Sequence, residues 1–258
     1  MWKSESMNRN NTPFLRAENI YKKFGSVTAL EDVSLTVCLG EILAIAGDNG
    51  AGKTTLIKIL SGVLKPDSGK LWIDGKEASD LTPAKAIKAG VSTVYQDLAL
   101  GNTMDVTSNI FLGNERSAGG FLKKREMDEE ARKLIADLDI HIQDVTVPVG
   151  SLSGGQRQGV AVARLISRSG KLLIFDEPTA AMGLKESRSV LKLIQKLAGD
   201  GYGVIMISHN LPQILQVSDR ICIMRQGRVI GELAAAGSSL EEVEDLISGN
   251  EVESYGQE

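Results

Sequence analysis

Cysteine is scarce in this chain of 258 residues. Its two cysteines, Cys38 and Cys222, lie among apolar residues at no metal-ligand spacing, which favours buried thiols in a reducing compartment over a disulfide framework. Long apolar runs are also missing, since none approaches the roughly 20 residues that span a bilayer. Residues 1–13 lack the apolar segment of a signal peptide. We therefore expect a cytoplasmic chain that can reach a membrane only through a partner.

An excess of basic residues is missing as well. The chain has 29 Lys and Arg against 33 Asp and Glu, which gives a net charge of −4. Nucleic-acid binders usually show a basic surplus, so we expect no nucleic-acid partner. Hydrophobic residues make up 42% of the chain, which is enough for the core of one large domain or of one domain with an inserted lobe.

Apolar and polar residues alternate between residues 14 and 37, as they do in antiparallel strands. Three short and nearly continuous apolar runs are instead typical of buried parallel strands: residues 41–46, 172–175 and 203–208. Strands that alternate with helical patterns predict an α/β fold with a mostly parallel core sheet and an N-terminal antiparallel β subdomain. Phosphate chemistry lies at the carboxyl ends of such strands, so the loops after the three runs are expected to meet there.

Residues 98–164 change to a helical pattern. Four apolar residues recur there at helical spacing between charged residues: Met127, Ala131, Leu134 and Leu138. We predict that this stretch is an α-helical lobe inserted into the α/β core. The predicted organisation is a polar N-terminal tail (1–13), a single domain (14–250) with core segments 14–97 and 165–250 and helical lobe 98–164, and an acidic C-terminal tail (251–258).

Residues 47–54 read GDNGAGKT and fit the phosphate-loop pattern G-x-x-x-x-G-K-[ST], between a predicted strand and a predicted helix. The glycines let successive N–H groups turn towards phosphate oxygens at the start of that helix. Lys53 supplies positive charge for the β and γ phosphates, and the Thr54 hydroxyl can ligate Mg²⁺. The residues predicted to contact ATP are Gly47, Asp48, Asn49, Gly50, Ala51, Gly52, Lys53, Thr54 and Thr55.

Two carboxylates, Asp176 and Glu177, follow the apolar run 172–175 and precede Pro178. An Asp-Glu pair by itself is usually only solvated charge, but the strand before it places this pair at the edge of the sheet where phosphate is expected. We predict that Asp176 holds Mg²⁺, directly or through water. Glu177 is then the general base that activates the attacking water.

Residues 152–156 read LSGGQ. Together with the phosphate loop and LLIFDEP, in this order and spacing, they resemble the ATPase subunit of ABC transporters over nearly the whole chain. A serine hydroxyl and bare N–H groups at a helix start form a second anion site. The resemblance implies a head-to-tail dimer in which each ATP lies between one subunit's phosphate loop and four residues of the other: Ser153, Gly154, Gly155 and Gln156. One copy of each motif then requires a second copy of the chain or a homologous ATPase subunit.

The resemblance also implies roles for residues outside these motifs. Gln96, in TVYQDLAL, matches a glutamine that touches Mg²⁺ and the water and links the core to the helical lobe. His209, in MISHN, matches a histidine that contacts the γ-phosphate. With Glu177, these two residues form the predicted catalytic set. Phe24, in YKKFG, matches the aromatic residue that stacks on adenine, and Tyr21 is its rival for that role.

Three stretches resemble the ATPases of importers for ribose-, xylose- or fructose-type monosaccharides: VYQDLALGNTMDVTSNIFLGNE, LSGGQRQGVAVAR and EPTAAMGLKES. Met182 and Gly183, where many ABC ATPases have Leu and Asp, fit this subgroup. The chain has one ATPase unit and resembles its single-domain members. The implied partners are integral-membrane permease subunits at the cytoplasmic face of the membrane and, indirectly, a periplasmic or extracellular sugar-binding protein. An export or lipid-transport ATPase, and an ABC ATPase acting on ribosomes or DNA, are the alternatives.

Overall fold

The computed structural model describes residues 12–180 and 182–249, so the predicted tails lie outside the described residues except for Thr12 and Pro13. The strands are β1 (Leu15–Phe24), β2 (Val27–Val37), β3 (Ile42–Ala46), β4 (Ser68–Ile73), β5 (Lys76–Glu77), β6 (Val91–Val94), β7 (Ser117–Ala118), β8 (Phe121–Leu122), β9 (Leu172–Asp176), β10 (Gly203–Ile207), β11 (Arg220–Arg225) and β12 (Arg228–Ala234).

The α-helices are α1 (Lys53–Leu60), α2 (Pro83–Lys88), α3 (Val106–Phe111), α4 (Lys124–Asp137), α5 (Gly154–Ile166), α6 (Leu184–Gly199), α7 (Leu211–Val217) and α8 (Leu240–Ser248), and one turn of 3₁₀ helix covers Val149–Ser151. Within the part of the chain that the structure describes, no helix combines the length and the apolar character needed to cross a membrane.

Six strands form the core sheet, in the order β12-β11-β3-β10-β9-β6. Neighbours in this sheet are parallel, except for the antiparallel pair of β11 and β12 at one edge. In the middle of the sheet, Ile205 of β10 lies opposite Leu43 of β3 and Ile174 of β9. The carboxyl ends of these three strands therefore lie at one edge of the sheet, where the sequence predicts that their loops meet.

The core sheet is buried on both faces, which explains why its strands read as continuous apolar runs. In β3, Ile42, Ala44 and Ala46 belong to the hydrophobic cluster that includes the helical lobe. Leu43 and Ile45 belong to a second cluster, which includes α1 and the N-terminal strands. The parallel sheet thus holds the helical lobe and the N-terminal β subdomain on its opposite faces.

The N-terminal sheet has four antiparallel strands in the order β2-β1-β4-β5. In β1, Leu15 and Ala17 are buried while Arg16 between them is exposed. This alternation is the pattern that predicted an antiparallel subdomain at the start of the chain.

The predicted lobe is rich in helix and contains α3, α4 and most of α5, which continues past the predicted boundary to Ile166. Helix α4 and its end bury one stripe: Met127, Ala131, Ile135 and Leu138. Leu134, predicted to belong to the stripe, is only half-buried, because a period of 3.6 residues brings Ile135 rather than Leu134 into line with Ala131. The lobe also contains the β7–β8 hairpin, which the sequence analysis did not predict. The division into domains stays a prediction.

The two cysteines differ in burial. Cys222 in β11 is fully buried, and this burial raises the pKa of its thiol to about 12. Cys38, directly after β2, is half-buried. The expectation of two buried thiols is therefore correct for Cys222 and wrong for Cys38, which follows the last residue of an edge strand.

Candidate nucleotide-binding site

The phosphate loop connects β3 to α1 at the carboxyl edge of the core sheet. Gly47, Gly50 and Gly52 have φ angles of 149°, 84° and 100°, in the region that favours glycine. A Cβ atom on Gly47 would collide with the Met224 carbonyl oxygen, and one on Gly52 would lie 2.6 Å from the Ala29 carbonyl oxygen. The loop is therefore pressed against β11 and β2, and only glycine fits at its two ends.

Lys53 is the first residue of α1, and its ammonium group lies inside the loop. The Lys53 Nζ atom donates to the carbonyl oxygens of Gly47 at 2.6 Å and Asp48 at 2.9 Å. Burial lowers the pKa of Lys53, while the negative charges of Glu177, Asp48 and Asp176 raise it. The Lys53 ammonium group is thus held near the carboxylates of Asp176 and Glu177, at the end of β9. Phosphate oxygens are expected to bind at this position.

The remaining residues of the loop surround this lysine. The N–H group of Ala51 donates to the Asp48 carbonyl oxygen at 3.1 Å and closes a tight turn. Asp48 and Asn49 are exposed, and with Gly47 they line an open cleft of about 520 Å³ that also contains His209. At the start of α1, Thr54 is exposed and Thr55 is half-buried. The structure thus places the first three residues of the phosphate loop and His209 on one cleft.

Asp176 ends β9 and Glu177 follows it with a φ angle of 52°. The Glu177 N–H donates to the Ile207 carbonyl oxygen of the neighbouring β10 at 2.9 Å. Its carboxylate Oε2 lies 2.9 Å from Nδ1 of His209, whose side chain is 75% exposed. The exposed imidazole and the carboxylate are therefore in direct contact at the mouth of the phosphate loop.

The pKa of Asp176 is raised by burial and by the neighbouring Glu177, while Lys53 and Lys58 lower it. A divalent cation would stabilise the charged form of this carboxylate. The Thr54 hydroxyl, the Gln96 side-chain oxygen and the Asp176 carboxylate are the hard oxygen donors that Mg²⁺ prefers. The described residues contain no group of three or more His, Cys, Asp or Glu that could hold a metal alone. The donors therefore fit Mg²⁺ that is bound together with phosphate oxygens.

A second open cleft, of about 510 Å³, contains the exposed Gln96 after β6 together with Asp176 and Glu177. Ser153 and Gly154 of the LSGGQ segment also line this cleft. The phosphate-loop residues do not line this cleft. One chain therefore brings its LSGGQ segment close to its own carboxylates but places it on a different cleft from its own phosphate loop.

The LSGGQ segment begins α5. Ser153 is the N-cap, and its Oγ atom accepts from the Gln156 N–H at 3.3 Å, while the Gln156 Oε1 atom accepts from the Ser153 N–H at 2.9 Å. This reciprocal pair is a capping box. Gln156 also donates from Nε2 to the His141 carbonyl oxygen at 2.5 Å. Ser153 is exposed, whereas the Gln156 amide is already used within the chain.

Two aromatic residues compete for the adenine position. Phe24 ends β1 and its side chain is 47% exposed, with the Lys22 ammonium 5.6 Å from the ring centroid. The Tyr21 hydroxyl lies 3.4 Å from the Thr28 Oγ1 atom, and this side chain is half-buried. Phe24 is therefore the more exposed of the two aromatic residues, which favours it over Tyr21 for stacking.

The sequence model of the family described as "ABC transporter" matches residues 30–180. The chain belongs to this family. It is 44% identical over 91% of its length to the xylose/arabinose import ATP-binding protein of Sulfolobus acidocaldarius, of which it covers 93%. It is also 44% identical over 84% of its length to the fructose import ATP-binding protein of Rhizobium meliloti, of which it covers 86%.

Solved structures of ABC cassettes have the same fold. A nucleotide-free ATP-binding cassette of an ABC transporter matches with a TM-score of 0.80 and 29% identity, covering 96% of this chain and 100% of the other. A dimeric, post-hydrolysis ATP-binding cassette bound to ADP and Pi matches with a TM-score of 0.72 and 26% identity, covering 87% of this chain and 100% of the other. The predicted P-loop NTPase fold of the ABC ATPase type is confirmed.

The ABC cassette contains two polar contacts that the sequence analysis missed. Arg164 on α5 donates to the carbonyl oxygens of Leu98 at 2.7 Å and Ala99 at 2.9 Å, directly after Gln96. The Glu186 Oε1 atom accepts from the Gly154 N–H at 3.2 Å. An arginine within the apolar stretch VAVARLI of α5 was the signal for the first contact. The second joins segments 32 residues apart, and no local pattern marks it.

Proposed function

We propose that this ABC ATPase hydrolyses ATP to power the import of a monosaccharide through membrane-embedded permease subunits. The observation that carries the proposal is the convergence of Lys53, Asp176, Glu177 and His209 at one edge of the sheet. The class of cargo is proposed from the two relatives that are named for the import of xylose or arabinose and of fructose.

Nucleotide binding is assigned to the phosphate loop. The N–H groups of the loop and the positive end of α1 face the phosphate oxygens. Lys53 shifts its hydrogen bonds from the Gly47 and Asp48 carbonyl oxygens to the β and γ phosphates. Phe24 stacks on adenine. Thr54, Gln96 and Asp176 would hold Mg²⁺, which would supply positive charge that offsets the negative charge of the phosphate oxygens.

Hydrolysis is assigned to the residues that follow β9 and β10. A water oxygen attacks the γ-phosphorus, the bond from that phosphorus to the ADP oxygen breaks, and the water proton moves to the Glu177 carboxylate. The His209 imidazole and the Gln96 amide hold the γ-phosphoryl group and the water in line. Because the protein forms no covalent bond to the transferred phosphoryl group in this reaction, positioning of the reactants and stabilisation of charge supply most of the rate enhancement.

The second anion site implies a dimer. Ser153 and Gly154, at the start of α5, line a cleft that the phosphate loop of the same chain does not line, and Gly155 follows them on the helix. We assign them, with Gln156, to the γ-phosphate of an ATP held by a second subunit, either a copy of this chain or a homologous ATPase. The dimeric form of a solved ABC cassette supports this arrangement.

Closure of the dimer around two ATP molecules is proposed to move the helical lobes, and with them the permease, from an inward-facing to an outward-facing conformation. Hydrolysis then reopens the dimer. The chain acts at the cytoplasmic face of the membrane, and a sugar-binding protein on the opposite side delivers the cargo. The helix α5, which starts at the LSGGQ segment, is called the signature helix below. Its Arg164 is hydrogen-bonded to the segment that follows Gln96. Movement of the helical lobe is therefore coupled to movement of Gln96.

Co-purification from gently solubilised native membranes tests this proposal. We expect the tagged chain to be recovered with a multi-span permease, because an ATPase without a membrane-crossing helix among its described residues needs such a partner to act on transport. Recovery with ribosomes or DNA and without a membrane protein would contradict the transport assignment and favour the alternative class of ABC ATPase. Recovery with an export or lipid permease would contradict only the import of sugar.

A further inference from the structure

The N-terminus of the signature helix α5 is already in contact with an anion from its own chain. The Glu186 Oε1 atom accepts from the Gly154 N–H at 3.2 Å. A Cβ atom on Gly154 would lie 3.5 Å from the other carboxylate oxygen, and one on Gly155 would lie 3.8 Å from the Glu186 carbonyl oxygen. The carboxylate of Glu186 therefore lies against Gly154, and its backbone carbonyl lies near Gly155, the two glycines at this helix start.

The electrostatics of two helices hold Glu186 in this position. Helix α5 has no acidic residue in its own first turn. Glu186 is the acidic residue in the first turn of α6, whose N-cap Gly183 makes no side-chain capping hydrogen bond. Because the N-terminus of a helix attracts negative charge, one half-buried carboxylate serves the ends of both helices.

We propose that Glu186 occupies the anion site of the signature helix within each subunit and competes with the γ-phosphate of the ATP that the other subunit carries. This inference rests on the proposed function, in which that γ-phosphate binds at Ser153, Gly154 and Gly155. Two negative groups cannot share the Gly154 N–H at hydrogen-bond distance. The carboxylate must leave before the dimer closes, which raises the ATP concentration at which closure occurs.

The surroundings of Glu186 strengthen this competition. Asp176 and Glu177 line the same cleft and add negative charge, and Arg157 is a cation on its wall. An incoming γ-phosphate therefore meets three carboxylates in the lining of the cleft that also contains Ser153 and Gly154. Replacing Glu186 alters neither Asp176 nor Glu177, and it removes the negative charge that contacts the Gly154 N–H.

ATP-driven dimerisation measures this competition directly. In a Glu177→Gln background, which is expected to retain ATP, the fraction of dimer is measured by analytical ultracentrifugation against ATP concentration. Adding Glu186→Gln keeps the length of the side chain and its hydrogen-bond acceptor but removes its charge. We expect the ATP concentration for half-maximal dimer to fall about fivefold, the size typical of an anion at a helix N-terminus. Glu186→Ala removes the contact altogether and is expected to lower it at least as much.

Glu129→Gln is the matched control. It is the same substitution on α4 of the helical lobe, where the Glu129 carboxylate lies 3.4 Å from the Arg125 Nε atom, and no shift is expected. An unchanged or higher ATP requirement in both Glu186 variants would overturn the inference, since mere damage to the fold would weaken dimerisation rather than strengthen it. If the Glu177→Gln parent forms no dimer with ATP, the proposed head-to-tail mechanism fails, and the inference fails with it.

Discussion

Replacing Glu177 with Gln is expected to lower the rate of ATP hydrolysis about 100- to 10,000-fold, the usual contribution of a general base, while ATP still binds. The amide is close in size to the carboxylate but cannot accept the proton of the attacking water. Glu177 is placed for this role by its left-handed backbone and by its hydrogen bond to β10, which bring its carboxylate to 2.9 Å from His209. The variant should therefore accumulate as an ATP-bound dimer.

Phosphate release measures turnover of the Glu177→Gln variant, and light scattering after size-exclusion chromatography with Mg-ATP measures its dimer. Glu241→Gln is the control, because Glu241 is an exposed glutamate at the start of α8. That variant should hydrolyse ATP at the rate of the unaltered chain. Normal turnover by Glu177→Gln would remove Glu177 from the mechanism, and Asp176 or His209 would then be the next candidate for the base.

Replacing Lys53 with Ala is expected to weaken ATP binding about 10- to 100-fold, which is the range for losing hydrogen bonds to a charged group. Lys53 is the cation inside the phosphate loop, and its ammonium group is partly desolvated, so its attraction for phosphate is less screened than at the surface. The loss should appear in the dissociation constant for ATP, because this charge acts on bound phosphate before any bond breaks.

Titration with a fluorescent ATP analogue measures this affinity. Lys58→Ala is the matched control, since Lys58 lies on the same helix and is exposed. We expect its ATP affinity to change by less than about twofold, because the energy of an exposed charge is small. An unaltered affinity in Lys53→Ala, with the fold intact by circular dichroism, would contradict the assignment of residues 47–54 as the phosphate loop.

The position of the site could be predicted because it depends on strand order and on residues adjacent in sequence. The apolar runs identified β3, β9 and β10, and parallel pairing then required their following loops to meet. The glycines of the phosphate loop were identified from the G-x-x-x-x-G-K-[ST] pattern. The structure gives the physical reason for two of them, because Gly47 and Gly52 meet backbone atoms of β11 and β2 that leave no room for a side chain.

Contacts between distant segments could not be predicted in the same way. The hydrogen bond from the Gly154 N–H to the Glu186 carboxylate and those from Arg164 to the Leu98 and Ala99 carbonyl oxygens depend on how α5 packs against its neighbours. The β7–β8 hairpin has strands of two residues each, which is too short for any periodicity to appear. Leu134 packs against the hydrophobic cluster as a half-buried residue, but apolar spacing alone did not show that its neighbour Ile135 is the more buried of the two.

The choice between Phe24 and Tyr21 shows that packing can favour one of two residues when the sequence motif leaves both as candidates. Both aromatic residues lie on β1, and the sequence cannot tell which of them is covered. The structure places the Tyr21 hydroxyl 3.4 Å from Thr28 and leaves the Phe24 ring at the end of the strand, 47% exposed. The assignment of adenine stacking to Phe24 stays a prediction that this exposure favours.

ATP turnover by the purified complex with its permease decides whether ATP hydrolysis by this chain drives sugar import. The chain and its co-purified permease are reconstituted in proteoliposomes, and phosphate release is measured with candidate binding proteins carrying pentoses or hexoses. If hydrolysis drives sugar import, we expect one sugar-loaded binding protein to raise turnover above the rate with the same protein free of sugar, and Glu177→Gln to abolish the increase. Turnover that responds to no sugar-loaded binding protein, but rises with ribosomes, DNA or an exported lipid, would contradict it.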